Sequence, residues 1–281
     1  MQTPFQIPLE DKVVVITGGS GVLGSVMAEA LAANGAKVAI VARSREKVDQ
    51  VARRISESGG EAAGYSGDVT DKQAMEAIYE DVKSRFGPCD ILVNGAGGNN
   101  PKATTGEEYF DPEAPDSGGT FFDLDPAAVD QLFSLNFLGA LIPSQVFTRD
   151  MVYDRPGSII NISSMNAYRP LTKIPAYSGA KAAVSNFTQW LAVYFSKSGV
   201  RVNAMAPGFF LTDQNRELMF SEEGVLSARA EKILSQTPQE RFGEPEELVG
   251  TLLWLVDEKS SGFVNGIVVP IDGGFSAYSG V

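Results

Sequence analysis

Tyr177-Ser178-Gly179-Ala180-Lys181 sets a phenol and an ammonium four residues apart, a spacing that puts both side chains on one helix face. Tyrosine with its ordinary pKa near 10 is too weak an acid to exchange protons at neutral pH. A lysine ammonium beside it favours the phenolate and brings it into range for general acid–base work. Spacing alone does not identify the pair. Tyr79 and Lys83 match too, and each tyrosine has a serine thirteen residues upstream, Ser164 and Ser66 respectively. Their surroundings differ. Tyr177 follows a helix-starting Pro175 and lies among Ser178, Gly179, Ala180, Ala182 and Ala183, small residues that permit close packing. Tyr79 shares its segment with Glu76, Glu80 and Asp81, whose charges would raise its pKa. Tyr79 and Lys83 are therefore expected on a solvated helix face, and Tyr177 in the site.

A second chemical signal stands near the start of the chain, where Thr17–Gly24 (TGGSGVLG) joins a β-branched run to a helically spaced segment. Glycines allow the tight turn, and the helix start offers free N–H groups to a pyrophosphate. Gly18, Ser20, Val22, Leu23 and Gly24 are the expected contacts. Where such a turn binds NAD, an acid at the end of the second strand takes the ribose hydroxyls. Here that strand ends Ala42-Arg43-Ser44, and Arg43 offers a cation to a 2′-phosphate instead. NADP(H) is favoured on that one side chain, with NAD(H) left open.

Composition narrows the chemistry further. The 281 residues contain no histidine, which removes every mechanism built on an imidazole base, relay or ligand. Cys89 is the one cysteine, so no intrachain disulfide or cysteine-based metal site can form, and no metal is expected. Lys and Arg number 23 against 35 Asp and Glu, for a net charge of −12. With no basic run, that argues against nucleic acid or an anionic membrane as partner. Hydrophobic residues at 43% and charged residues at 21% suit one sizeable core. No run of 18 apolar residues occurs, so no membrane span is expected. Met1–Leu9 lacks the features of a secretory leader, and a cytoplasmic location is expected.

The elements that must position these groups alternate along the chain. Lys12–Thr17, Lys37–Ala42, Glu61–Ser66, Asp90–Asn94, Ser158–Ser163, Val200–Ala204 and Ile267–Ile271 read as strands. Val22–Asn34, Arg45–Ser58, Asp71–Phe86, Asp125–Met151, Pro175–Lys197 and Glu244–Val256 read as helices. Alternation of this kind predicts βαβ units with right-handed crossovers. The fold class is thus α/β: a single-domain doubly wound parallel sheet (Rossmann fold) over residues 1–281, with helices on both faces. Two stretches interrupt the rhythm. Gly97–Phe122 is rich in Gly, Pro, Asp and Asn and long for a strand-to-helix connection. Phe209–Phe242 is polar and partly helical, and reads as a substrate lid.

The Thr17–Gly24 turn, Asp68-Val69, Asn94-Gly95-Ala96-Gly97, Asn136, Ser164, Tyr177, Lys181, Pro207-Gly208 with Thr212, and Asp272-Gly273-Gly274 together resemble the motifs of the short-chain dehydrogenase/reductase family. They occur in that family's order and span nearly the whole chain. Val22 departs from the pattern, which usually has a glycine there. The resemblance implies that Tyr177 is the acid in carbonyl reduction and the base in alcohol oxidation. Lys181 would lower its pKa and hold the nicotinamide ribose, Ser164 would hydrogen-bond the substrate oxygen, and Asn136 would kink its helix to position a water in a proton relay. It also implies that Asp68 and Val69 flank the adenine and that Asn94, Ala96 and Gly97 line the cofactor. Pro207, Gly208, Phe210 and Thr212 would cover the nicotinamide and phosphates. A homotetramer formed through the two long helices and the last strand is implied as well.

Gly98–Lys102, Arg169, Lys173, Asn215 and Arg216 supply amides and cations around the expected mouth, with Asn100, Arg169 and Asn215 as the candidate substrate residues. Such a lining suits a polyhydroxylated acid better than a steroid or a fatty acyl chain. Gly98-Asn99-Asn100-Pro101, Ala206–Asn215 (APGFFLTDQN) and Asp272–Val281 (DGGFSAYSGV) resemble the D-mannonate oxidoreductase (fructuronate reductase) branch of the family. That implies carbohydrate metabolism and a sugar-acid substrate. A gluconate 5-dehydrogenase-like or other polyol dehydrogenase is the alternative. A 3-oxoacyl carrier-protein reductase fits poorly with a charge of −12, because its partner is acidic. A non-catalytic nucleotide-sensing homologue fits poorly with the presence of Asn136, Ser164, Tyr177 and Lys181 together.

Overall fold

Val13–Thr17 is buried at every position, as a strand must be when helices cover both faces of its sheet. It is one of seven strands, with a neighbour on each side, in the computed structural model, which describes residues 1–114, 118–153, 155–212, 216–221 and 224–280. Asn215 lies outside the described residues. The strands are β1 (Val13–Thr17), β2 (Lys37–Ala42), β3 (Glu61–Ser66), β4 (Ile91–Asn94), β5 (Gly157–Ile162), β6 (Val200–Pro207) and β7 (Val268–Ile271). All neighbours pair in parallel in the order β3-β2-β1-β4-β5-β6-β7. The order reverses between β1 and β4, so a crevice opens beyond their carboxyl ends. Thr17 and Asn94, paired in register, stand at its floor.

The helices between them are α1 (Val22–Ala33), α2 (Arg45–Glu57), α3 (Lys72–Arg85), α4 (Pro126–Phe133), α5 (Gly139–Phe147), α6 (Arg149–Tyr153), α7 (Pro175–Tyr194), α8 (Arg216–Met219), α9 (Ala228–Ser235), α10 (Glu247–Val256) and α11 (Glu258–Ser261). Side-chain alternation along β1 divides the core in two. Val14 and Ile16 pack with Met27 and Leu31 of α1 and Leu252 of α10. Val13 and Val15 pack with Met75 and Val82 of α3, Phe147 of α5 and Leu191 of α7. Helix starts follow their caps. Ser44 accepts from the Lys47 N–H, Asp71 from those of Gln73 and Ala74, and Asp125 from that of Ala127 with Pro126 in the first turn. No described helix is long and apolar enough to cross a membrane.

Three features differ from the reading of the sequence. The continuous helix expected over Asp125–Met151 is interrupted by a π-helical turn at Ser134–Leu138, and α5 contains Pro143, which has no N–H to give the ladder. The Phe209–Phe242 stretch is less polar than expected. It has a small core of its own, in which Met219, Ala230 and Ile233 meet Phe209, Leu211, Phe220, Leu226 and Phe242. The third difference is Tyr79. Far from being solvated, it is only 7% exposed and sits on the stripe Met75, Ile78, Tyr79 and Val82 that α3 turns inward. Its hydroxyl donates to buried Asp150 of α6 at 2.9 Å, and the Lys83 ammonium donates to both, at 3.0 Å to Tyr79 and 2.8 Å to Asp150. Burial is the main reason its phenol is pushed above the ordinary value. The acids weighed against Tyr79 face elsewhere in part, with Glu76 paired to Arg149 at 3.1 Å.

The Tyr79–Lys83–Asp150 cluster therefore staples α3 to α6, away from the crevice. Tyr79→Phe leaves buried Asp150 short of one donor and is expected to lower unfolding free energy by about 1–3 kcal/mol while kcat stays unchanged. Urea denaturation beside a turnover assay checks this; lost turnover at full stability would contradict it.

Candidate active site

At the crevice floor, Gly18 has φ of +67° and sits against the exit of β4. A Cβ on it would lie 2.7 Å from the Gly95 carbonyl carbon and 2.8 Å from the Ala96 nitrogen. The Thr17 hydroxyl ties the same two strands together, accepting from the N–H groups of Gly95 at 3.2 Å and Ala96 at 3.3 Å. Helix α1 then starts at Val22 behind Gly21, which provides no side-chain cap. The first N–H groups of the helix, those of Val22, Leu23 and Gly24, thus face the turn without a capping side chain, an arrangement that suits an anion such as a pyrophosphate. Val22 does not prevent this, because its backbone carries the donor. The residues present fit a dinucleotide.

The other end of the cleft is a cavity of about 390 Å³ lined by Arg43, Asp68, Thr70, Asn99, Asn100 and Gln131, among others. Arg43 is exposed. The Asp68 carboxylate accepts from the Thr70 N–H at 2.9 Å and hydroxyl at 2.7 Å; those bonds, with the Arg43 charge adding to them, hold it below the usual carboxylate range. Asp130 lines the same cavity, so the one guanidinium shares the space with two carboxylates. Asn100 is placed here, its side chain accepting from the Lys102 N–H at 3.0 Å. The Val69 side chain is buried in the core, in contact with Gly139. Asn94 is turned into the sheet, donating to Ser144 at 3.0 Å and Asn161 at 2.8 Å.

Tyr177, Lys181, Ser164 and Asn136 converge from three elements. Lys181 on α7 is only 4% exposed; its Nζ donates to the Ile162 carbonyl at 2.9 Å and stands 5.7 Å from the centre of the Tyr177 ring. Burial penalises the ammonium and lowers its pKa to about 8. Gly97 makes the convergence possible: a Cβ there would come 2.6 Å from Asn136 Oδ1 and 3.1 Å from Lys181 Nζ. Asn136 lies in the π turn, its amide donating to the carbonyls of Gly98 at 2.8 Å and Leu132 at 2.9 Å and its Oδ1 accepting from the Gly98 N–H at 3.3 Å. It thereby fixes the Gly97-Gly98 backbone to the helix. Ser164 Oγ accepts from the Asn166 N–H at 3.3 Å, and its hydroxyl meets the Tyr177 phenol.

The electrostatics refine one expectation. In the free chain burial raises the Tyr177 phenol above 10, and contact with the Ser164 hydroxyl only partly offsets this. The phenol is a protonated donor at neutral pH, with the Lys181 charge nearby to stabilise the anion left after donation. No side-chain pattern announces the Ile162 carbonyl, the anchor that sequence reading missed. Thr17 reads as the start of the glycine-rich turn, but the bonds its hydroxyl accepts across to β4 follow only from strand register.

Around the mouth, the Gly208 N–H donates to the Ile271 carbonyl at 2.9 Å at the end of β6, next to Pro207. The Phe210 ring is buried against Gly243, and the residue lines a cavity with Phe209, Ile271 and Asp272. The Thr212 carbonyl accepts from the Arg216 backbone N–H at 2.9 Å, and the Arg216 guanidinium lies over the Phe220 ring. Arg169 donates to the Tyr278 carbonyl of the C-terminal tail. Lys173 binds the Gly106 carbonyl, and Lys232 pairs with Glu108; both pin the 97–122 loop rather than face a substrate.

Comparison with known proteins agrees with this geometry. The family model for short chain dehydrogenases matches residues 12–223. A crystal structure from Haemophilus influenzae, described as a candidate D-mannonate oxidoreductase with bound NAD, superposes with a TM-score of 0.94 at 55% identity, covering 97% of this chain and 98% of that one. The uncharacterized oxidoreductase UxuB of Bacillus subtilis is 51% identical over 278 residues, 99% of each chain. A gluconate 5-dehydrogenase from Burkholderia cenocepacia, in complex with NADP and tartrate, superposes with a TM-score of 0.81 at 29% identity, covering 96% of this chain and 97% of that one. The chain belongs to the short-chain dehydrogenase family, as an NAD(P)-dependent oxidoreductase acting on alcohol and ketone groups.

Proposed function

We propose that this enzyme interconverts a keto sugar acid and its secondary alcohol, with D-fructuronate and D-mannonate as the pair. The observation that carries the reaction is the meeting of Ser164, Tyr177 and Lys181 beside the Asn136–Gly97 contact. In this reading Ser164 holds the ketone oxygen and Tyr177 gives it a proton. Lys181 stabilises the resulting phenolate, and Asn136 keeps the Gly97-Gly98 backbone in place. A bound nicotinamide supplies the hydride. Arg169 is the proposed partner of the substrate carboxylate, because the neutral Tyr278 carbonyl it now holds is a weaker acceptor than a carboxylate. Asn100, which lines the Arg43 end of the cleft, is left out of the substrate site.

The sugar-acid reading is supported by the 55% identical candidate D-mannonate oxidoreductase. A second reading, reduction of 5-keto-D-gluconate, is favoured by the gluconate 5-dehydrogenase relative and by an Escherichia coli 5-keto-D-gluconate 5-reductase. Nicotinamide absorbance with D-fructuronate, 5-keto-D-gluconate and an acetoacetyl thioester separates them. Turnover of fructuronate is expected, and turnover of the thioester alone would overturn the sugar-acid assignment. Tyr177→Phe is expected to lose about 10²–10⁴-fold in kcat, the usual range for an acid–base group, while still binding cofactor; full turnover would remove Tyr177 from the mechanism.

For the cofactor, we propose that Arg43 admits the 2′-phosphate of NADP(H) and that NAD(H) is also used, as the two ligand-bound relatives suggest. Asp68 and Asp130 temper the preference. Arg43→Asp is expected to lower kcat/KM for NADPH by about tenfold or more, or roughly 1.4 kcal/mol, while NADH is spared. Equal losses with both cofactors would show that Arg43 does not read the phosphate.

A further inference from the structure

Strand β5 runs out at Ile162, and the two residues that follow, Ser163 and Ser164, are buried. Three consecutive residues here reach α7 in three different ways. The Ile162 carbonyl accepts from Lys181 Nζ at 2.9 Å. The Ser164 hydroxyl meets the Tyr177 phenol. Between them, Ser163 Oγ donates to the Lys181 backbone carbonyl at 3.1 Å and lies 2.7 Å from Ser185 Oγ, one turn further along the helix. A hydroxyl carries one proton. With the Ser163 proton given to the Lys181 carbonyl, Ser185 is the donor of the 2.7 Å bond. The Ser163 backbone is held too, its N–H donating to the Met205 carbonyl of β6 at 2.8 Å.

The Lys181 carbonyl lies within α7, where the helix ladder already uses it. The bond from Ser163 is therefore not needed to make the helix. Its effect is to register α7 against the end of β5 at the residue whose side chain enters the cleft. Lys181 is then gripped twice, at its backbone by Ser163 and at its ammonium by Ile162, and neither end can slide without breaking a buried hydrogen bond.

We infer that Ser163 is a positioning residue for Lys181: through the Lys181 carbonyl it sets the depth at which the ammonium stands beside Tyr177. The inference rests on the reading of Tyr177 and Lys181 as the catalytic pair. A displacement of about 1 Å in a reacting group costs on the order of 100-fold, so a grip on the backbone of Lys181 has leverage on the chemistry. Ser185 acts one bond further away.

The test uses the full-length enzyme, with D-fructuronate and 5-keto-D-gluconate as ketones and NADH as the binding probe. Ser163→Ala is expected to lower kcat about tenfold, with KM for the ketone within about twofold, and to move the pH profile of kcat. NADH affinity, read by fluorescence, is expected to weaken at least about threefold, and circular dichroism to stay that of the wild type. Ser185→Ala removes the donor to Ser163 but spares its bond to Lys181, and is expected to fall between wild type and Ser163→Ala. Ser163→Ala with wild-type kcat, pH profile and NADH affinity would overturn the inference. So would a kcat loss that matches lost folded protein while the pH profile stays fixed. A wild-type enzyme that reduces neither sugar acid would defeat the substrate reading alone, and NADH affinity would then decide the role of Ser163. Full turnover by Tyr177→Phe would remove the catalytic pair, and this role of Ser163 with it.

Discussion

A lysine ammonium taken out of water is costly unless the protein replaces its hydration, and Lys181 is 4% exposed. One carbonyl, that of Ile162, accepts from it. Room for the charge exists because residue 97 has no side chain, and the Tyr177 ring covers it on another side. Much of the cleft follows from accommodating this one group. Ile162 has to be the last residue of β5 and α7 has to lie close, while on another side of α7 the small Ala176 and Ala180 pack against Ala128 and Leu132 of α4. The compromise shows in the Lys181 pKa of about 8. Because folding lowers that value from the ordinary 10.5, the unfolded chain binds the extra proton between the two, and stability rises with pH across that window.

The sheet supplies the frame for this arrangement. Parallel strands with a reversal between β1 and β4 bring the Gly18 turn, the Gly97 backbone and the end of β5 to one edge. Hydrogen bonds from buried side chains then fix the distances between them. Asn94 links β4 to Asn161 and Ser144, and Asn161 donates to Thr188 of α7 at 2.9 Å. The relay of amides and hydroxyls runs through the core beneath the site and couples α5 to α7. The π turn at Ser134–Leu138 belongs to the same design, since it lets Asn136 leave the helix surface and hold Gly98.

Most of the frame was legible in the residues. β-Branched runs bounded by glycines gave the strands, Asp125-Pro126 gave a helix start, and small residues around Tyr177 separated it from Tyr79. What escaped depended on contacts between distant parts of the chain. Tyr79 reads as solvated from its acidic neighbours, but its partner Asp150 is 71 residues away and outweighs them. The inward stripe Met75, Ile78, Tyr79 and Val82 was the signal available. The break at Asn136 comes from a bond to Gly98, and the aromatic residues of the lid form a core only when folded on one another. Asn100 follows the cofactor-lining glycine closely in sequence, yet the loop carries it to the Arg43 end. Backbone acceptors such as Ile162 have no side-chain signature at all.

The state of Lys181 tests the physical basis of the site most directly. Enzyme labelled with 13Cε-lysine, free of cofactor, can be titrated by NMR, with the Lys181→Met variant identifying the resonance. A signal that is lost in the variant and titrates near 8 is the result predicted for a buried ammonium that donates to the Ile162 carbonyl. The same signal titrating near 10.5 would contradict it, and would mean that water reaches Lys181 and that its packing against Tyr177 and Gly97 is not as described.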